Sequence, residues 1–96
     1  MIGLVATIKV QEGKSAEFEQ IFRDLTAKVK ANEPGCLMYQ LTKSRTEPDT
    51  YKVLELYRDQ DALSTHGGSE YFKAASRQMG ACMDGRANLD YLDAVE

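Results

Sequence analysis

The sequence is short of the residues that most catalytic and metal sites use. It has one histidine, two cysteines and no tryptophan among 96 residues. Cys36 and Cys82 are too few for a disulfide framework or a zinc cluster, and we expect both to stay reduced as small buried residues. Acid–base chemistry near neutral pH must therefore use His66, or a carboxylate or tyrosine with a perturbed pKa.

Long apolar runs, clustered positive charge and nucleotide motifs are also missing. No run approaches the roughly 20 apolar residues of a membrane span, and no leader pattern precedes the first strand pattern. The net charge of -3 offers no surface for nucleic acid. There is no phosphate loop, metal-ligand spacing or catalytic triad signature. We expect a cytoplasmic protein with no cofactor, no nucleic-acid partner and no membrane partner.

Four segments alternate in polarity with a period of two, which is typical of strands. They span residues 2–10, 36–43, 51–58 and 87–95. In the second of them the alternation places Leu37 on the same face as Tyr39, and Cys36 on the face of Met38. A short turn around Pro48 separates the second and third segments, which predicts an antiparallel hairpin.

The segments between the predicted strands have the period of helices. A long helix is predicted from an N-cap at Ser15 to Pro34, where the chain must leave the helix. Asp59 caps a short helical segment, and Ser69 starts a further helix that ends at Gly85. The order predicts one ferredoxin-like α+β domain over residues 1–96, a split βαββαβ fold whose four-stranded antiparallel sheet has its helices on one face.

The face of the sheet that the helices leave bare is also apolar. Val5, Met38, Leu54, Leu56 and Leu92 all fall on it in the strand patterns. A face in contact with water should be mostly polar, so we expect a homodimer in which two sheets pack together as a dimeric α+β barrel. The alternative is a monomer with an apolar surface.

Two residues are the first candidates for chemistry. His66 lies where the short helical segment ends, so it is either a proton carrier at a pocket or a favourable charge at a helix C-terminus. Glu55 lies in the middle of an apolar strand, where a carboxylate must be either functional or paired with a group such as Arg58, Lys52 or a tyrosine.

The five tyrosines allow two interpretations. They line an aromatic substrate slot and bind a phenolic oxygen, or they are ordinary core and interface residues. The tyrosines are Tyr39, Tyr51, Tyr57, Tyr71 and Tyr91.

Several of these segments together resemble the antibiotic biosynthesis monooxygenase family of dimeric ferredoxin-like proteins. The densest matches are EPGCLMY over residues 33–39 and ELY over 55–57, followed by AL before His66 and the Ser69 to Phe72 segment. The resemblance implies a homodimer with a pocket between sheet and helices, and cofactor-free oxygenation of a quinol or polyphenol by molecular oxygen. An ionised hydroquinone donates electrons itself, so the protein need only deprotonate it, exclude water and stabilise the oxyanion.

The resemblance also implies roles for individual residues. His66 would be a proton acceptor or a hydrogen-bonding group of the pocket, Glu55 a supporting carboxylate, and Tyr71 and Tyr51 would contact the phenol. The full set of substrate-binding residues that we expect is Tyr39, Tyr51, Tyr57, Tyr71 and Phe72. Tyr71 stands where the family often has a second histidine and Tyr57 where it often has tryptophan, and the absence of tryptophan disfavours the heme-degrading subgroup.

Two other functions fit the same sequence. One is an isomerase or epimerase in which His66 and Glu55 move a proton on a small keto substrate, which in some relatives is phosphorylated. The other is a dimeric module that binds an aromatic ligand without chemistry.

Overall fold

The computed structural model describes residues 1–96. Its elements are β1 (Ile2–Lys9), α1 (Ser15–Asn32), β2 (Cys36–Lys43), β3 (Thr50–Tyr57), α2 (Gln60–Gly68), α3 (Glu70–Gly80) and β4 (Asn88–Asp93). The predicted order of elements is confirmed, and the short helical segment after Asp59 is the helix α2.

The strands form one antiparallel sheet in the order β2-β3-β1-β4. Its helix-covered face holds the core, in which Phe22 and Val29 of α1 and Met79 of α3 pack with Ile8 of β1 and Val53 of β3. These residues follow the two periods of the sequence, 3.6 in the helices and two in the strands. The predicted ferredoxin-like α+β fold is therefore confirmed.

The helix starts agree with the sequence at two of three positions. Asp59 accepts a hydrogen bond from the Ala62 amide at 2.9 Å, and Ser69 accepts one from the Phe72 amide at 3.3 Å. The predicted N-cap at Ser15 is wrong, because Lys14 precedes the first helical residue and makes no capping bond through its side chain. The Ser15 hydroxyl instead donates to a carboxylate of the β2–β3 turn, Oδ1 of Asp49, at 3.1 Å.

A β-bulge changes the faces predicted for the start of β2. Cys36 pairs with Tyr57 and Met38 pairs with Leu56, so Leu37 is the extra residue. The predicted faces of Cys36 and Leu37 are therefore wrong: Cys36 lies on the helix-covered face, and Leu37 is 51% exposed. Both cysteines are unpaired, Cys82 fully buried and Cys36 partly buried.

The chain after α3 leaves the helix earlier than predicted. The helix ends at Gly80 rather than Gly85, and Met83 forms a bridge with Val10 at the end of β1. The backbone amide of Gln11 also donates to the backbone carbonyl of Cys82 at 2.8 Å. These long-range bonds satisfy backbone groups that a longer helix would have used, and β4 starts and ends inside the predicted strand.

The bare face of the sheet is apolar, as the strand patterns predict. Met38 is 48% exposed, Leu54 is 37% exposed and Leu92 is 47% exposed. Val5 and Leu56 lie beside them in the strand register. The pattern that favours a sheet-to-sheet homodimer is therefore present on the folded chain.

Measured by length and hydropathy, none of the helices qualifies as a membrane span.

Candidate functional site

A cavity of about 530 Å³ lies between the sheet and helices α2 and α3. Of its 20 lining residues 13 are hydrophobic, so most of the wall offers no hydrogen-bond partner to a bound molecule. Leu4 and Val53 form part of the sheet wall, and Phe72 and Met79 come from α3. Tyr91 of β4 lines the cavity and is 58% exposed, so the cavity opens along this edge strand.

Few polar side chains reach the cavity. Glu55 and His66 are the titratable groups predicted from the sequence that line it, and Ser76 and Arg86 line it as well. Tyr39 also lines it, and burial raises the pKa of its hydroxyl well above the ordinary value. A substrate in this cavity would therefore meet an imidazole and a carboxyl group in apolar surroundings.

His66 lies in the last turn of α2 and is only 4% exposed. Its Nδ1 lies 3.1 Å from Oε1 and 3.2 Å from Oε2 of Glu33. Its Nε2 forms no hydrogen bond within the chain, and no fully buried side-chain nitrogen or oxygen lacks a partner. Nε2 is therefore not fully buried, and the space that His66 lines is the cavity.

Aromatic rings hold the imidazole of His66 in place. The ring centroids of Phe72, Tyr39 and Tyr57 lie 4.5, 5.0 and 5.5 Å from that of His66. Burial among these rings lowers the pKa of His66, and the carboxylate of Glu33 partly opposes that shift. A lowered pKa favours the neutral imidazole, which is the form that can accept a proton.

Glu33 is a site residue that the sequence analysis missed. It is the C-cap residue of α1, is 5% exposed, and also accepts a hydrogen bond from the Tyr71 hydroxyl. The sequence marks this segment as the end of a helix and as part of the family resemblance, and assigns Glu33 no role in the site. A signal was present, because Glu33 lies four residues after Val29 and so continues the buried face of α1.

Glu55 is paired with a tyrosine, one of the partners predicted for it. The Tyr57 hydroxyl donates to Oε1 of Glu55 at 2.5 Å. Burial raises the pKa of Glu55 to about 7; the negative charge of Glu33 adds to the rise and the Tyr57 bond opposes it. Near neutral pH this group therefore exists in both its neutral and its ionised form.

The predicted site residues fall into three groups. His66, Glu55, Tyr39 and Phe72 line one cavity. Tyr57 and Tyr71 do not line it, but each donates to a carboxylate that belongs to the site, Glu55 and Glu33 respectively.

Tyr51 lies apart from the others. Its ring packs against Phe18 with centroids 5.0 Å apart, and its hydroxyl donates to Oε2 of Glu19. A polar groove of about 420 Å³ beside α1 reaches this tyrosine, but the groove does not include His66 or Glu55.

Neither a reactive cysteine nor a metal-binding cluster is part of the site. Burial, together with the charges of Glu33 and Glu55, raises the pKa of the Cys36 thiol to about 11, so this cysteine is protonated at neutral pH. The structure contains no cluster of three or more His, Cys, Asp or Glu side chains that could hold a metal ion.

Comparison with known proteins places this geometry in a family. The family model described as antibiotic biosynthesis monooxygenase matches residues 1–78. A crystal structure from Caulobacter crescentus CB15, provisionally assigned as an antibiotic biosynthesis monooxygenase, is 65% identical with a TM-score of 0.97 over 99% of this chain and 90% of that one. A Pseudomonas aeruginosa structure is 30% identical with a TM-score of 0.86, over 99% and 94% of the two chains.

A curated relative is longer than this chain. An uncharacterized protein of Synechocystis sp. is 30% identical over 71 residues, which are 74% of this chain and 48% of that protein. The chain therefore spans about half the length of the curated relative it matches.

Proposed function

Because the chain belongs to the antibiotic biosynthesis monooxygenase family, we propose that it oxygenates a quinol or other polyphenol with molecular oxygen and without a cofactor. The observation that carries the proposal is the pairing of a buried Glu33–His66 hydrogen bond with an apolar cavity. A base with one nitrogen tied to a carboxylate and the other open to the cavity is suited to deprotonate a phenol.

The reaction balances with the substrate as the only electron source. One hydroquinone and one dioxygen give one hydroxyquinone and one water. The quinol supplies all four electrons, one oxygen atom forms the new carbon–oxygen bond, and the other leaves as water. Nε2 of His66 takes the first phenolic proton and can return it when water leaves.

The apolar wall supports a quinol over a phosphorylated keto substrate. Once water is excluded, a phenolate bound there is stabilised only by the few polar groups of the lining. Glu55 is one of them, and in its protonated form it can donate a hydrogen bond to a second hydroxyl of the substrate. Arg86 is the only arginine or lysine of the lining, and it is exposed. An isomerase for a phosphorylated substrate would need converging cations, which this cavity does not offer.

The proposal includes a homodimer that covers the bare face of the sheet. Met38, Leu54 and Leu92 are exposed there and would be buried by a second copy. Sedimentation should find dimers at micromolar concentration, and Leu54→Lys should shift them to monomers. Monomeric wild-type protein at that concentration would contradict this part of the proposal. The cytoplasmic location expected from the sequence stays a prediction, with which two unpaired cysteines agree.

Oxygen uptake with a panel of hydroquinones tests the proposed reaction. We expect uptake by the wild type and a loss of roughly 100-fold or more for His66→Ala, since a positioned general base contributes on that scale. Gln78→Ala is the matched control, because Gln78 is an exposed residue of α3 that makes no side-chain hydrogen bond. Equal rates of oxygen uptake by the wild type and His66→Ala would show that His66 takes no part in the reaction. Tight binding of quinols without uptake would favour the ligand-binding alternative.

A further inference from the structure

Three elements meet at one buried carboxylate. Glu33 follows α1, His66 lies in the last turn of α2 and Tyr71 lies in α3, and the side chains of His66 and Tyr71 both hydrogen-bond to the carboxylate of Glu33. Glu33 has no lysine or arginine partner, since the chain's other salt bridges involve different residues. Its burial is therefore balanced by two hydrogen-bond donors rather than by a basic side chain.

We propose that Glu33 is the positioning residue of His66, and that it holds the imidazole hydrogen on Nδ1 so that Nε2 faces the cavity as an unprotonated acceptor. The inference rests on the proposed function, in which Nε2 receives the substrate proton. Glu33 itself does not line the cavity and so acts only through His66.

The tautomer follows from the inventory of donors and acceptors. A neutral imidazole carries one N–H, and an ionised carboxylate can only accept. With both carboxylate oxygens 3.1–3.2 Å from Nδ1, the hydrogen must lie on Nδ1 for the bond to form. Nδ1 makes no hydrogen bond other than those to Glu33, and the rings of Tyr39, Tyr57 and Phe72 pack around the imidazole.

The Glu33 charge also matters once Nε2 has taken a proton. The imidazolium then lies beside a carboxylate in a buried place, which offsets part of the cost of charging it there. The other titratable groups around it are Tyr71 on α3, Cys36 and Tyr39 on β2, and Glu55 and Tyr57 on β3. Tyr71 donates to Glu33, and the pKa of its hydroxyl is raised to about 12, so it supplies a hydrogen and no charge at neutral pH.

Glu33→Gln separates the charge from the shape. The amide oxygen can still accept from Nδ1, but the negative charge is gone. We expect the pKa of His66 to fall by about one unit or more and kcat with a quinol to fall at least tenfold, while KM changes less than threefold. Glu19→Gln is the matched control: it makes the same change at a carboxylate that also accepts from a tyrosine but lies outside the cavity, and it should lower kcat less than twofold.

The decisive measurement is the nitrogen NMR of His66. Because it is the only histidine, histidine labelled with ¹⁵N gives one pair of ring signals without further assignment. The inference expects a protonated Nδ1 and an unprotonated Nε2 in the wild type, and a lower titration midpoint in Glu33→Gln. Protonation on Nε2 in the wild type, or an unchanged midpoint in Glu33→Gln, would overturn it.

The two proposals fail separately. If no variant, the wild type included, consumes oxygen with any quinol, the oxygenase proposal is wrong, and the NMR result still decides whether Glu33 orients His66. If the wild type is active and has the expected tautomer but Glu33→Gln keeps full kcat, the positioning role is wrong and the oxygenase proposal stands. Should Glu33→Gln fail to fold, the wild-type tautomer alone decides.

Discussion

The chain contains two tyrosine–carboxylate pairs on the same face of the sheet, and they behave differently. Tyr51 donates to Glu19 and Tyr57 donates to Glu55, and both tyrosines are almost fully buried residues of β3. Glu19, however, lies 3.3 Å from the guanidinium of Arg23 and its side chain is 27% exposed. Glu55 has no counter-ion and lines an apolar cavity, and its pKa rises to about 7. Burial away from solvent and from any basic neighbour therefore distinguishes Glu55 and brings its pKa into the neutral range.

The largest expected difference between the two pairs is in activity. Glu55→Gln should lower oxygen uptake with a quinol at pH 7 by roughly tenfold, because an amide is a weaker hydrogen-bond donor to the developing charge than a protonated carboxyl group and cannot give up its proton. Glu19→Gln changes the equivalent pair outside the cavity and should change uptake less than twofold. Equal losses in the two variants would show that the pairs do not differ in function.

A second difference should appear in the pH dependence of stability. Because the pKa of Glu55 is higher in the folded than in the unfolded protein, the folded state binds the proton more tightly. Protonated Glu55 therefore stabilises the fold fully below about pH 4, and this stabilisation is lost as the pH rises through 7. The free energy of unfolding should fall across this window by at most about 3 kcal/mol. Glu55→Gln should remove that fall, and Glu19→Gln should keep it. Denaturant unfolding at pH 5 and pH 8 compares the three proteins.

The position of Glu33 depends on the close approach of Gly35, two residues further along the chain, to helix α2. A Cβ added to Gly35 would lie 2.7 Å from the Cβ of Ala62 in α2. Gly35→Ala should therefore destabilise the protein by about 1–3 kcal/mol, as overpacking does. Adding Ala62→Gly should restore most of the loss. Gly68→Ala meets nothing within 4 Å and serves as the control in thermal unfolding.

The smallest expected effect is at Tyr51. Tyr51→Phe removes one hydrogen bond to a partly exposed carboxylate and should cost about 1 kcal/mol of unfolding free energy. Oxygen uptake by the same variant tests the substrate-binding role predicted from the sequence. If the folded variant takes up oxygen much more slowly than the wild type, unfolding cannot explain the loss, and Tyr51 would be a substrate-binding residue.

The sequence predicts the fold well because the fold depends on periods along the chain. The buried faces of α1 and β1 follow from local spacing. The faces of Cys36 and Leu37 do not, because the bulge appears only when β2 is paired with β3.

The site is only partly predictable for the same reason. His66, Glu55, Tyr39 and Phe72 were named from the sequence and line one cavity. Tyr51 and Tyr57 lie on the same face of the same strand, so periodicity cannot tell them apart. The difference comes from α1 covering one end of the strand and the cavity occupying the other, which is information about distant segments.

The cavity's outer wall is β4, an edge strand whose six residues are all exposed and which pairs only with β1. Such a strand opens locally at lower cost than the strands in the middle of a sheet. We therefore expect fraying of this border of the sheet to admit the proposed aromatic substrate and to release its product, without a separate moving flap. Amide hydrogen exchange that is faster in β4 than in β3, and slower again when a ligand is bound, is the behaviour this arrangement implies.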